Sequence, residues 1–337
     1  MRIGYCCKYI TSIDQINGIK PHHDSYPYNI STTTITHLNK LTQHDAVAKL
    51  HQLSFDNIAS VKRLVTLVSK DRPEFRMLRL GSDILPAYTH TNWKWFYQQP
   101  EIMTLLQRQF SEIGDIARAN DVRLSFHPGQ FCVLGSHRDE VVENSIEEFE
   151  YHADMARYMG YGRTFQDMKI NIHISGKRGP TGMREVYSRL SPEARNTITV
   201  ENEEFSWGVE DCLELSDIIP TVFDIHHHWI NTGNYATPDT DMIKRVIDSW
   251  RGVRPAMHYS QSKDDLIQES INNTSLPELS QLLLAGHTKS KLRAHSDFYT
   301  NKAVNQLVKE FSNYFDIQLE AKAKNLARNQ LFKEWAD

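Results

Sequence analysis

His127, His173, Glu201, Asp224, His258 and Glu320 each stand at or near the end of a short apolar run in this 337-residue chain. Imidazoles mixed with carboxylates make a borderline ligand set that suits Mn²⁺ or Zn²⁺ better than a soft ion. Glu201 and Glu320 each carry two oxygens and can bridge a pair of ions. Clustered divalent ions lower the pKa of a bound water and neutralise charge building on a displaced phosphate. Two more histidines belong to the pattern, His227 one turn beyond Asp224 and His295 in the long segment before the last apolar run.

Taken singly, several of these residues have ordinary readings. His173, between Ile172 and Ile174, fits a hydrogen-bonded core residue, and Asp224 fits a helix cap. The run His226–His228 fits a surface stretch. Glu201 and Glu320 fit such readings poorly, because a lone carboxylate in an apolar strand is costly to ionise. Together the residues point to a polynuclear metal site, without which so many carboxylates would repel one another.

A second kind of chemistry sits in "RLSFHPGQF", residues 123–131. A strand-like alternation stops at His127 and a Pro–Gly turn follows, after which Gln130 and Phe131 enter the loop. Phe131 reads either as a probe or as a plug for the mouth of the fold. Lys177, Arg178 and Arg184 lie in and beyond "GKRGPTG", which reads as a mobile basic loop. Lys289, Lys291 and Arg293 precede His295. Beside a metal centre such cations can cradle phosphates, whether of DNA or of a phosphorylated metabolite. No Ser–His–Asp arrangement, phosphate loop or dinucleotide fingerprint is present.

The elements that must position these residues are short β-branched and aromatic runs separated by helical periodicity. Strands are expected at 2–6, 75–81, 122–127, 169–174, 198–202, 221–226, 254–260 and 317–322, and helices at 100–119 and 139–159. Alternation of this kind implies parallel strands and right-handed crossovers, and eight units close a (β/α)₈ TIM barrel. The six candidate ligands then gather at the C-terminal ends of strands three to eight, where barrel enzymes build their sites. A single domain over residues 1–337 is expected, with extra helices or binding loops in 7–74 and 260–316.

Composition bounds the rest. With 40% hydrophobic and 24% charged residues the chain reads as a globular protein with a large core. A formal charge of −4 argues against nonspecific coating of nucleic acid but permits a local basic patch. No apolar run approaches a membrane span, and "MRIGYCCKYI" lacks a signal-peptide layout. The four cysteines form no Cys-x-x-Cys pair, so reduced cytoplasmic thiols are expected.

"RIGY", "LSFHPGQF", "INIHISG", "TVENEE", "VFDIHHH", "MHYS", "AHSDF" and "LEAKAKNLA", in this order, resemble the UV damage endonucleases from residue 2 to about 327. The resemblance implies a barrel related to endonuclease IV, with two or three divalent ions of Mn²⁺ type, Zn²⁺ and Mg²⁺ being alternatives. It implies incision of double-stranded DNA immediately 5′ of UV photoproducts that leaves a 3′-hydroxyl; a monomer is expected because a duplex must reach the barrel mouth. Those lesions are cyclobutane pyrimidine dimers and 6-4 products, with abasic sites a further candidate. By motif, the ligands would be His127, His173, Glu201, Asp224, His227, His258, His295 and Glu320. Glu201 and Glu320 are the expected catalytic residues, together with His90. Gln130 and Phe131 would wedge into the duplex, with Tyr5, Lys177, Arg178, Lys291 and Arg293 as further DNA contacts.

Two departures from the family pattern stand out. Phe131 replaces a usual tyrosine, and Ala256 replaces a lysine two residues before His258; retained activity is expected. A divalent-metal sugar isomerase or epimerase on a similar barrel, and a lesion-binding protein with lost catalysis, are the competing readings.

Overall fold

The computed structural model describes residues 1–18, 26–263 and 273–336. Eight parallel strands close a barrel in chain order. They are β1 (Ile3–Cys6), β2 (Met77–Arg79), β3 (Arg123–Phe126), β4 (Lys169–His173), β5 (Ile198–Glu201), β6 (Thr221–Asp224), β7 (Ala256–Tyr259) and β8 (Asp316–Leu319). β1 and β8 complete the closure through Ile3 beside Ile317. Helices follow the strands, among them Gln43–Ser69, Pro100–Ala119, Asp139–Tyr158 and Lys302–Phe311. Among the described residues, no helix is long and apolar enough to cross a membrane.

Side-chain alternation sorts each strand into a helix-facing and a barrel-facing set. In β4, Ile170 and Ile172 join the large apolar core beneath the helices, which leaves Lys169, Asn171 and His173 on the inner face. In β7, Met257 and Tyr259 pack outward with Phe311 and Phe315. Ala256 joins Met77, Val222 and Trp250 in a separate small cluster. The Trp250 indole donates to the Thr221 carbonyl at 2.7 Å, under the Arg123 guanidinium. Beside Arg123, Asp316 accepts from Arg2, Arg123 and Arg254, which ties the N-terminal ends of three strands to one buried carboxylate. Burial alone would raise Asp316, but the guanidiniums hold it below its ordinary value.

Local rules account for the helix starts. Asp139 and Glu140 occupy the first turn of Asp139–Tyr158, where carboxylates favour the positive end of the helix dipole. Thr42 caps Gln43–Ser69 through the Asp45 amide. Three expectations need correction. The sixth strand stops at Asp224, because its side chain caps a helix starting at Ile225, so His226 and His227 are helical. β8 ends at Leu319, which leaves Glu320 just past the strand. The stretch read as a mobile loop enters the helix Gly179–Tyr187, with Pro180 in the first turn, where a fixed φ and a missing N–H do no harm.

Candidate metal centre

Strand register brings the candidate ligands together before any side chain is considered. β4 pairs with β5 so that His173 lies beside Glu201. β6 pairs with β7 so that Asp224 lies beside His258, and β7 pairs with β8 so that His258 lies beside Gln318. Neighbouring residues of parallel strands point to the same side, so these groups converge on the inner mouth.

Glu201 is the hub. It is wholly buried, and its Oε2 accepts from the Asn171 amide and lies 3.2 Å from His127 Nε2. Its Oε1 lies 3.0 Å from His258 Nδ1 and 3.5 Å from His227 Nδ1. The His127 Nδ1–H donates to the Pro128 carbonyl at 3.0 Å, which turns a bare Nε2 toward Glu201. His127 and His173 face each other with ring centres 4.9 Å apart, and His173 and His227 at 5.4 Å.

The remaining groups form a second wall. Glu320 is paired with Arg79 and lies 3.4 Å from His258 Nδ1. His295 Nδ1 is 3.9 Å from Glu320 Oε2. Asp224 is both the cap and the ligand candidate that its sequence context left open. One oxygen accepts the His227 amide at 2.7 Å, and the other is buried without a hydrogen bond.

Orphaned atoms test whether these residues fit an ion. Glu201 Oε1, Asp224 Oδ2 and His258 Nδ1 are all buried and make no well-aligned hydrogen bond, although the first and last lie 3.0 Å apart. Leaving such atoms unpaired is costly in a dry interior, and three together are what the ligands of a cation would present. Glu201, Asp224 and His258 offer ligand atoms within 4.8 Å of one another, as do His127, His173 and Glu201. Glu201 belongs to both sets, as a carboxylate shared between two ions would. The donor set fits divalent ions of the Mn²⁺ or Zn²⁺ kind.

Electrostatics agree with the geometry. Burial by itself would raise Glu201, yet the imidazoles of His258, His173 and His127 hold it well below the carboxylate range. Burial lowers His173 and His258 to about 4, which keeps both rings neutral and able to ligate. His227 goes the other way. Burial is outweighed by Asp224, Glu201, Glu204 and Glu320, which raise it to about 10. Burial also raises the Asp224 carboxyl well above its ordinary value, so this metal-free pair holds on to protons that ligation of a cation would have to displace.

Sequence reasoning missed part of this wall. Lys169 is buried inside the barrel, its Nζ 2.8 Å from His258 Nε2. Ala256, two residues before His258, has no amine to offer, and an amine arrives from β4 instead. The available signal was a lysine sharing the inward period of Asn171 and His173. Arg79, partly buried in β2 against Glu320, gave a similar signal, a charge inside an apolar strand. Glu204 was also missed; it lies 3.5 Å from both His227 Nε2 and Arg293 Nε.

Burial lowers the Lys169 amine to about 7 from its ordinary 10.5. Between those values the unfolded chain binds more protons than the folded one. Stability of the metal-free protein therefore rises with pH across that window. Lys169→Met should flatten this rise in a denaturant series. Because Lys169 supports a ligand's far nitrogen, the same variant should weaken Mn²⁺ affinity by about 10–100-fold in a metal titration.

The other expected residues are spread over the rim. Gly129 accepts the Cys132 amide at 2.9 Å, so Gln130 and Phe131 form the tip of a tight turn. Val133 and Cys132 anchor that turn to Ser145 of the following helix. Phe131 is 84% exposed, so it does not plug the barrel. Lys177 and Lys291 are exposed; Arg178 is paired with Glu185, and Arg293 with Glu204. His90 lies in the loop after β2, where its Nδ1 accepts the Asn92 amide. Among the described residues, no hydrogen bond, ion pair or ring contact joins it to the cluster. Tyr5 departs from expectation, because it is 1% exposed beneath the Arg328 guanidinium and presents no surface to a duplex. Its position in β1 turns its ring toward the helices, which the sequence reading did not weigh.

The model of the UV-endonuclease UvdE family matches residues 1–337. The UV DNA damage endonuclease of Bacillus velezensis is 27% identical over 316 residues, covering 90% of this chain and 88% of that protein. The crystal structure of SacUVDE is similar at a TM-score of 0.72 and 26% identity, covering 100% of this chain and 98% of that one. Endonuclease IV from Thermus thermophilus shares the fold, with a TM-score of 0.51 and 12% identity over 82% of this chain and 93% of its own.

Proposed function

Because the chain belongs to the UV-endonuclease UvdE family, we propose that it is a metal-dependent repair nuclease that hydrolyses the phosphodiester immediately 5′ of UV photoproducts in double-stranded DNA. The observation that carries the metal dependence is the trio of unpartnered atoms on Glu201, Asp224 and His258. His127, His173, Glu201, Asp224, His227, His258, His295 and Glu320 would hold two or three ions, Mn²⁺ first among the candidates. Bound there, divalent ions would supply an activated water and neutralise the charge of the leaving oxygen.

The chain's own residues have separable tasks. Asn171 and Arg79 fix the two glutamates, so that their free oxygens stay aimed at the cluster. Lys177, Arg178, Lys291 and Arg293 steer the backbone phosphates, and His90, from the loop after β2, would meet the scissile phosphate only once DNA seats. Gln130 and Phe131 enter the stack at the lesion, where a photoproduct has already weakened pairing and lowered the few kcal/mol that unstacking costs. The protein acts as a monomer with its mouth open to the duplex. Lys169 brings an amine to the far nitrogen of His258, which supports retained activity in spite of Ala256.

A labelled duplex holding one cyclobutane dimer tests the proposal, run beside undamaged and abasic duplexes with protein stripped by EDTA. Added Mn²⁺ should restore a single nick 5′ of the dimer with a 3′-hydroxyl end, while stripped protein should leave the strand whole. Tight lesion binding without a nick at saturating Mn²⁺ would point to a binding protein instead. Incision in EDTA would end the metal reading.

A further inference from the structure

Three consecutive strands send loops to the same rim, two of them ending in an exposed aromatic and the one between in cations. After β3 comes exposed Phe131, after β4 come exposed Lys177 and Arg178, and after β5 comes Phe205. Phe205 is 50% exposed, although nothing in the packing requires an aromatic there.

Its loop is held by other residues. The Glu203 amide donates to the Trp207 carbonyl at 2.8 Å, closing the loop around Phe205. The Trp207 indole donates to the Gly176 carbonyl at 2.8 Å, which ties the β5 loop to the β4 loop. Gly179 makes room for that indole: its φ is +44°, and a Cβ there would lie 2.5 Å from the ring. Phe205 is therefore presented from a fixed support and is not itself part of the support.

Two contacts connect Phe205 to the centre. The Arg293 guanidinium lies 5.6 Å from the ring centre, and Arg293 Nε is 3.5 Å from Glu204 Oε1. Glu204 in turn sits 3.5 Å from His227. An aromatic, then cations, then an aromatic backed by arginine is the layout of a surface that stacks unpaired bases while following a phosphate backbone. A duplex with its bases stacked offers few π-faces, but one opened at a lesion offers several.

We propose that Phe205, backed by Arg293, is a second stacking platform that takes an unstacked base of the opened DNA, separate from the Gln130–Phe131 turn. This rests on the nuclease reading above. It assigns the β5 loop a role in holding the opened strand rather than in sensing the lesion.

The test measures binding of a fluorescent dimer-containing duplex in EDTA, where no incision occurs, for wild type, Phe205→Ala, Phe205→Leu and Phe205→Trp. Alanine and leucine should each weaken binding about tenfold, and tryptophan should bind at least as well as wild type. Salt dependence should stay unchanged in all three, since stacking releases no counterions, whereas Lys177→Gln should lower the salt slope by about one. Mn²⁺ content and thermal midpoint should match wild type, because Phe205 supports neither the ligands nor the core. Leucine binding like phenylalanine, or alanine binding like wild type, would overturn the platform while leaving the nuclease reading intact. Wild type failing to bind the duplex at all would remove both.

Discussion

Glu201→Gln should leave a folded protein that binds damaged duplex in EDTA within about twofold of wild type, yet incises it on the order of a thousandfold more slowly in Mn²⁺. The direction in which the new amide faces sets the effect. Asn171 Nδ2 is a donor aimed at Glu201 Oε2, so a glutamine there must turn its carbonyl oxygen toward Asn171. Its NH₂ group then occupies the place of Oε1, the atom that has no hydrogen bond and lies 3.0 Å from His258 Nδ1. Two N–H bonds directed at the cluster repel a cation where the carboxylate attracted one. Since Glu201 belongs to both candidate ligand sets, one substitution should disturb both. Metal content by elemental analysis should fall in parallel with incision. Wild-type incision by this variant would show that Glu201 does not hold the ions.

The second large effect is expected at the turn tip. Gln130→Ala with Phe131→Ala should lower the preference for dimer-containing over undamaged duplex by about 10–100-fold, at unchanged metal content. Both side chains are exposed, and neither touches a candidate ligand. The turn itself is kept by the Gly129–Cys132 hydrogen bond and by Ser145. Removing the tips therefore takes away stacking and hydrogen bonding at the gap without loosening the loop. Phe131→Tyr should behave as wild type, because the ring is retained and the added hydroxyl lies at an exposed position. A double variant that still discriminates as well as wild type would place lesion sensing elsewhere on the rim.

The two sites should also differ in their dependence on pH. His227 holds its proton to about 10 because four carboxylates surround it. An ion ligated by His227 must displace that proton, so metal affinity should rise with pH through the neutral range. The Gln130–Phe131 turn has no such group, and its contribution to lesion preference should not follow pH.

Much of the fold was legible because local patterns and global topology agree. The β-branched runs "KINIHI" and "TVFDIH" named the strands but overran their ends by one and two residues, while the helical period named Pro100–Ala119 to the residue. Strand ends were less legible. Asp224 caps a helix at the point where "TVFDIH" reads as continuous strand, since a cap depends on where the next four residues turn and not on their hydrophobicity.

The sequence by itself determined that imidazoles and carboxylates stand at successive strand ends, and that eight parallel units would bring those ends to one face. It also placed Gln130 and Phe131 beyond the strand end, because Pro128 and Gly129 end a strand whatever surrounds them, although the two form the tip of the turn rather than following it. Only the tertiary structure decided that Lys169 crosses the barrel to His258, that Arg79 guards Glu320, and that Tyr5 is buried. Those facts depend on which side chains meet across a closed barrel from strands about 90 to 240 residues apart. Pattern along a chain reports which face a residue takes. Only the register of the closed sheet reports what it meets there.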